Sequence, residues 1–159
     1  MRIALTLLTL PFLAACAGPA PVATLDPRVV AADAIPRVGC TAPTLGGGEG
    51  GVGYAGIPQA QSALLGRWVN GMWDDTGACH ELTVEQISAD GTVTATFATG
   101  SSPIAPPTAR RVTGTVDANG RLELEMPDGS RAIYALDGTT LRGAHIVNET
   151  MRPVALIRE

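Results

Sequence analysis

From residue 66 onward, apolar and polar residues alternate with a period of two, the pattern of strands that bury one face of a sheet. Within 92–97, for example, Val93, Ala95 and Phe97 share one face and three threonines share the other. The same alternation or a strand-like composition recurs in 67–73, 80–87, 111–116, 121–126, 131–136, 139–145 and 153–158. The pattern predicts eight strands, with Trp68 and Met72 among the side chains that point inward.

Short turn dipeptides separate most of these strands. Asp90-Gly91, Asn119-Gly120, Asp128-Gly129 and Asp137-Gly138 are strong hairpin signals. The exception is 99–109, where three prolines make a long connection that has no place in a ladder. Because closure removes exposed strand edges, we expect an all-β fold, a small eight-stranded antiparallel up-and-down barrel in residues 58–159.

The first fifteen residues have the parts of an export signal: a positive start, an apolar run and small residues before Cys16. The apolar run is shorter than the roughly 20 residues that span a bilayer. Leu13-Ala14-Ala15-Cys16 resembles the bacterial lipobox. The resemblance implies cleavage before Cys16, lipidation of Cys16 and attachment to a membrane. An ordinary signal peptide with an incidental cysteine is the alternative.

This resemblance also gives an expected location, the bacterial cell envelope. Ala17 follows the cysteine and favours the outer membrane, with the protein facing the periplasm. Residues 16–57 then read as a Pro/Gly-rich tether, because prolines interrupt them and a glycine run follows at 46–53. Within that tether, residues 29–34 are a candidate short element that packs on the domain. The predicted organisation is therefore signal peptide 1–15, lipidated tether 16–57 and barrel 58–159.

Three cysteines occur in the chain, and lipidation of Cys16 leaves Cys40 and Cys79. In an oxidising periplasm two remaining thiols are expected to pair. In the chain-entropy model a bridge that closes the loop between Cys40 and Cys79 stabilises the fold by about 3–4 kcal/mol. The alternative is two cysteines that stay unpaired or pair between molecules.

Charge argues against nucleic acid as a partner. The chain has 11 basic and 15 acidic residues, a net charge of −4, and loss of Arg2 with the signal peptide makes it −5. Nucleic-acid-binding domains have a basic stripe instead. We expect a membrane contact through the lipid on Cys16 and an envelope protein as a possible partner.

No residue pattern indicates catalysis or a cofactor. Ser88, Ser101, Ser102 and Ser130 lie in turns without a Gly-x-Ser-x-Gly frame. Asp74, Asp75, His80 and Glu81 are the one candidate metal cluster, but they lack zinc-ligand spacing. We expect a solvated loop there, with His80 at a strand edge and His145 pointing inward near the barrel rim. The sequence therefore predicts no catalytic residues, no metal, no cofactor and no enzymatic activity.

The first and last strands of the predicted barrel resemble those of a known family. Gly66-Arg67-Trp68 opens the first strand, and Val154 to Arg158 form the last. The pair resembles the calycin plan of lipocalins and avidin-like barrels. The resemblance implies that Arg158 lies across Trp68 as a barrel-closing structural pair, a cation–π contact worth up to about 1–2 kcal/mol.

A narrower resemblance is to bacterial periplasmic proteinase-inhibitor barrels of the alkaline proteinase inhibitor type. It is carried by Gly66, Trp68, Cys79, Leu156 and Arg158. That family pairs its cysteine inside the barrel and inserts a free N-terminal stretch into the protease. This chain has only Cys79 within its barrel, and lipidation of Cys16 would occupy the N-terminus.

The function that these features favour is a non-catalytic envelope lipoprotein that binds a protein partner. Its expected binding surface is the loops at one end of the barrel, 74–79, 99–109 and 147–152. One alternative is a protease or lysozyme inhibitor. The other is a carrier of a small hydrophobic ligand, although side chains can just fill an eight-stranded barrel, and a filled core is the favoured outcome.

Overall fold

The computed structural model describes residues 25–45, 52–53, 56–73 and 75–159. They contain two short helices, α1 (Pro27–Val30) and α2 (Gln59–Ser62), and nine strands. The strands are β1 (Val52–Gly53), β2 (Gly66–Trp73), β3 (Ala78–Ile87), β4 (Thr92–Thr99), β5 (Thr108–Val116), β6 (Leu122–Glu125), β7 (Arg131–Asp137), β8 (Thr140–Val147) and β9 (Thr150–Arg158). Within these residues no helix has the length and apolarity needed to cross a membrane.

Strands β2 to β9 form a closed antiparallel meander. Each pairs with the strand before and after it, and β2 pairs with β9 to complete the ring. The remaining strand, β1, pairs in parallel with the end of β3 that extends past the start of β2. The prediction of an all-β, eight-stranded antiparallel barrel is confirmed.

The interior of the barrel is filled by its own side chains. Large residues on all its strands are buried, among them Trp68, Leu82, Val84, Leu122, Leu124, Tyr134, Leu141 and Leu156. At Gly143 a Cβ atom would overlap the ring of Tyr134, and at Gly71 it would lie 2.9 Å from Cγ2 of Val154. Glycine is therefore required at both positions, because neighbouring side chains occupy the space of even one methyl group.

A β-bulge in β2 corrects one prediction. Trp68 pairs with Leu82 and Gly71 pairs with His80, so β2 uses one residue more than β3 over this interval. Asn70 takes the extra position with a φ of 62°. The bulge reverses the alternation beyond it, so Trp73 is buried inside and Met72, predicted to point inward, is only half-buried.

One end of the barrel, called here the closed end, is covered by α2. The indole N–H of Trp68 donates to Leu64 O at 2.8 Å, and Cζ of Arg158 lies 4.5 Å from the Trp68 ring centroid. Arg158 also donates to Ala63 O and Leu65 O, just after α2. Gly66 has a φ of 108°, and a Cβ there would lie 3.2 Å from Nη1 of Arg158. These contacts explain the Gly-x-Trp start of the first barrel strand.

Residues 25–45, called here the strap, lie on the outer wall of the barrel. This segment falls within the predicted tether 16–57, but the structure holds it against the strands, and α1 contacts β7 and β8. Side chains of the barrel bind its main chain: Arg121 to Leu25 O, Arg142 to Ala31 O and Ala34 O, and Asn70 to Gly39 N–H. The prediction of a short packed element at 29–34 overlaps α1.

Candidate functional site

The candidate site is the end of the barrel opposite α2, called here the rim. It carries the β2–β3, β4–β5, β6–β7 and β8–β9 connections, which include the three loops predicted to bind a partner. The rim loop between β4 and β5 is the longest of these connections in the barrel.

The tip of the rim loop holds an exposed apolar side chain in a defined turn. Ser102 and Ala105 form a two-way backbone bridge, and Oγ of Ser102 accepts from the N–H groups of Ile104 and Ala105. Ile104 is 82% exposed on this turn. Prolines at 103, 106 and 107 restrict the flanking backbone further. An ordered loop that exposes an isoleucine has already lost much of the conformational entropy that binding would cost.

A disulfide lies at the base of the rim loop. The bond joins Cys40 of the strap to Cys79 of β3, so the predicted pairing is confirmed. Gly100 donates to Cys79 O at 2.7 Å, and a Cβ on Gly100 would lie 3.0 Å from Thr41 O. The strap, β3 and the rim loop are thus fixed to one another at a single point.

Beneath the rim, His80 is buried inside the barrel, which corrects its predicted position at a strand edge. Its Nδ1 lies 2.8 Å from Ala98 O and its Nε2 lies 2.8 Å from the hydroxyl of Tyr134. A carbonyl oxygen only accepts, so Nδ1 carries the proton and the Tyr134 hydroxyl donates to Nε2. Burial lowers the pKa of His80 to about 3 and raises that of Tyr134, so both stay neutral at pH 7.

Aromatic rings surround His80 and separate it from the rim. Ring centroids of Trp73 and Phe97 lie 4.6 and 4.5 Å from that of His80. The ring of His145 lies above them, 5.8 Å from Trp73 and 5.5 Å from Phe97. Burial and the Arg152 guanidinium lower the pKa of His145, as expected for an imidazole half-enclosed near a cation.

At the rim, Asp128, Ser130 and His145 form a hydrogen-bonded chain. The Ser130 hydroxyl donates to Oδ1 of Asp128 at 2.6 Å, and Nε2 of His145 lies 2.9 Å from Ser130 Oγ. In a nucleophilic triad the histidine lies between the acid and the serine, whereas here the serine lies between them. Ser130 N–H also donates to Asp128, and Ser130 is only 9% exposed. We therefore assign these hydrogen bonds a structural role, which is to stabilise the β6–β7 turn.

The candidate metal residues do not converge. His80 points into the barrel, whereas Glu81 points outward, accepts from Arg67 and binds the Ala42 N–H of the strap. Asp75 lies at the rim, with Oδ2 2.9 Å from Nε of Arg152 in a contact that is an ion pair without hydrogen-bond alignment. Asp74 lies outside the described residues. Across the part of the chain that the structure describes, no three such side chains gather as metal ligands.

Four of the remaining predicted site residues fall at two places in the structure, and the fifth is outside it. Cys16 lies outside the described residues. Trp68 and Arg158 contact each other at the closed end, far from the rim. Cys40 and Cys79 lie at the base of the rim loop. Sequence reasoning missed the His80–Tyr134 pair, although the period-two pattern of β3 places His80 on the same face as the inward-facing Leu82 and Val84.

No family model, no curated protein and no solved structure matches this chain. Its function must therefore be inferred from its own residues.

Proposed function

We propose that this chain is a lipid-anchored protein of the bacterial cell envelope, attached through Cys16, whose barrel is a non-catalytic protein-binding module of calycin-like architecture. The rim is its binding surface, and the outer membrane, facing the periplasm, is its location. The observation that carries the proposal is Ile104, an isoleucine held 82% exposed on an ordered turn. Such a residue is a natural anchor for an apolar pocket on a partner.

The dense packing inside the barrel favours a binding surface on its outside. A carrier of a hydrophobic ligand needs room within the barrel, but the layers around Gly71 and Gly143 leave no space for a methyl group. The buried polar groups there satisfy one another, as His80 and Tyr134 do. A protease or lysozyme inhibitor would be one kind of binding module, and the rim would then make the inhibitory contacts.

The proposal is tested by comparing the size of the native assembly in three forms of the full chain. Wild type, Ile104→Asp and Asn119→Asp are extracted from membranes in a mild detergent and sized. Asn119 is an exposed control in the β5–β6 turn at the closed end. We expect wild type and Asn119→Asp to run as a complex and Ile104→Asp to run at its own mass. Three identical profiles would overturn the rim as binding surface.

The anchor has its own test. Cys16→Ser should move the protein from the membrane to the soluble fraction after detergent-free lysis, because serine lacks the thiol that carries the anchoring lipid. A variant that stays in the membrane fraction would contradict the assignment of Cys16.

A further inference from the structure

The strap leaves only a short stretch of chain between the proposed lipid and the folded domain. Cys16 and Leu25 are nine residues apart in sequence, and Leu25 is already bound to the barrel through Arg121. Nine residues reach at most about 30 Å when fully extended and about 15–18 Å as a flexible coil. An eight-residue strand is itself roughly 27 Å long. The barrel must therefore lie against the membrane or within about its own height of it.

The chain leaves the barrel next to an apolar surface. Leu25 lines a groove of about 380 Å³ on the outer wall together with Arg131, Ile146 and Met151. Arg131, Ile146 and Met151 are ladder neighbours across β7, β8 and β9 and so share the outer face. Met151 is 44% exposed, and Val29 of α1, four residues after Leu25 in sequence, is 75% exposed. We call these five residues the Leu25 patch.

We propose that the Leu25 patch rests on the phospholipid surface to which Cys16 is anchored. The inference depends on the proposed lipidation, because the short connection from Cys16 is what holds this patch near the bilayer. Leu25, Val29, Ile146 and Met151 supply apolar groups for the interface between head groups and acyl chains. Arg131 donates to Glu123 at 2.9 Å and has further N–H groups for a lipid phosphate. Asn148 and Glu149 complete the groove at its polar edge.

This orientation gives the β8–β9 connection of the rim to lipid and leaves the rim loop, which carries Ile104, for the protein partner. In the strand order of the ring, the β4–β5 connection lies four strands away from the β8–β9 connection, on the opposite side of the barrel. When the Leu25 patch rests on lipid, Ile104 therefore faces away from the membrane. The partner would approach from the periplasmic side.

Tryptophan quenching by brominated phospholipids tests the proposal. The natural residues Trp68 and Trp73 are buried in the barrel, so they give a constant background. Full-length Met151→Trp and Val29→Trp, expressed with their own N-terminal segment and extracted from membranes, are reconstituted in phosphatidylcholine vesicles with and without brominated chains. Ile104→Trp is the matched control, because that position is also exposed but lies across the barrel. All three sites are on the surface, so the fold should tolerate them.

We expect quenching at least about twofold stronger for Met151→Trp and Val29→Trp than for Ile104→Trp, because interfacial groups enter about 5–10 Å into the bilayer. Equal quenching at the three sites, or stronger quenching of Ile104→Trp, overturns the orientation while the protein still floats with the vesicles. If the protein does not float with the vesicles, it has no lipid anchor. That result overturns both this inference and the anchoring role of Cys16.

Discussion

The hydroxyl oxygen of Tyr134 lies 2.8 Å from Nε2 of His80, and both side chains are shielded from solvent. The contact fixes the histidine tautomer, because the other ring nitrogen must donate to Ala98 O. A neutral, fully hydrogen-bonded pair of this kind belongs to a barrel whose interior is a packed core. The pair therefore favours a binding surface on the outside of the barrel over a ligand site within it.

Tyr134→Phe should destabilise the barrel by about 1–3 kcal/mol, because it leaves Nε2 of His80 buried without a partner. The ring that packs on Gly143 is retained, so the loss isolates the hydroxyl. Urea unfolding of wild type, Tyr134→Phe, His80→Phe and the double variant gives a double-mutant cycle. We expect a coupling free energy of about 0.5–3 kcal/mol, and additive losses would contradict the pairing.

Stability should fall in acid because of His80. Its pKa is about 6.5 in the unfolded chain and about 3 in the fold, so the unfolded state binds the proton first as the pH drops. The free energy of unfolding that depends on neutral His80 is fully present above pH 6.5. It falls progressively from there towards pH 3, by up to about 1.4 kcal/mol per pH unit. Thermal melts between pH 8 and pH 3 check this for wild type and His80→Phe. The wild-type curve should be the steeper, and parallel curves would contradict a buried neutral His80.

Asn70 should show two separable roles, the bulge and attachment of the strap. Asn70→Gly keeps a residue suited to positive φ but loses the hydrogen bond from Gly39 N–H to Oδ1, at a cost of about 0.5–1.5 kcal/mol. Asn70→Val adds the strain of a β-branched residue at positive φ, so its free energy of unfolding should be lower still. Chemical denaturation of both variants measures the difference. Equal stability would show that the bulge is not constrained at this residue.

Reduction of the Cys40–Cys79 bond should loosen the strap and the rim loop together. In the chain-entropy model the bond contributes about 3–4 kcal/mol, so the midpoint of thermal unfolding should fall with a reducing agent. Hydrogen exchange should quicken at Gly39 and Gly100, whose amides bond near the bridge. A Cys40→Ser, Cys79→Ser variant controls for direct effects of the reductant. Unchanged exchange at Gly100 would separate the rim loop from the bridge.

The strand count and closure were predictable because period-two alternation and Asp-Gly or Asn-Gly turns are local signals. Three features were not predictable from local pattern. Asn70 shifts the alternation by one residue, which exchanges Met72 for Trp73 inside the barrel. The strap is held by distant side chains such as Arg142 acting on its backbone, and prolines and glycines in its own sequence conceal that. The partner of His80 is 54 residues away on β7, so only the closed ring brings them together.

The features of the candidate site also divide into those that the sequence predicts and those that only the fold reveals. The cysteine pairing was predicted from the two thiols left beside Cys16 and an expected oxidising compartment, and the rim loop was predicted from its prolines. The exposure of Ile104 depends on the Ser102–Ala105 bridge, which the sequence does not reveal.

Whether the rim binds a protein partner can be measured by site-specific photo-crosslinking in intact cells. The chain has no lysine, so a photoreactive amino acid replaces Ile104 in one variant and Asn119 in another. We expect one adduct of defined mass from position 104, absent without illumination and absent from position 119. The same adduct from both positions, or no adduct from position 104, would contradict binding of a partner at the rim.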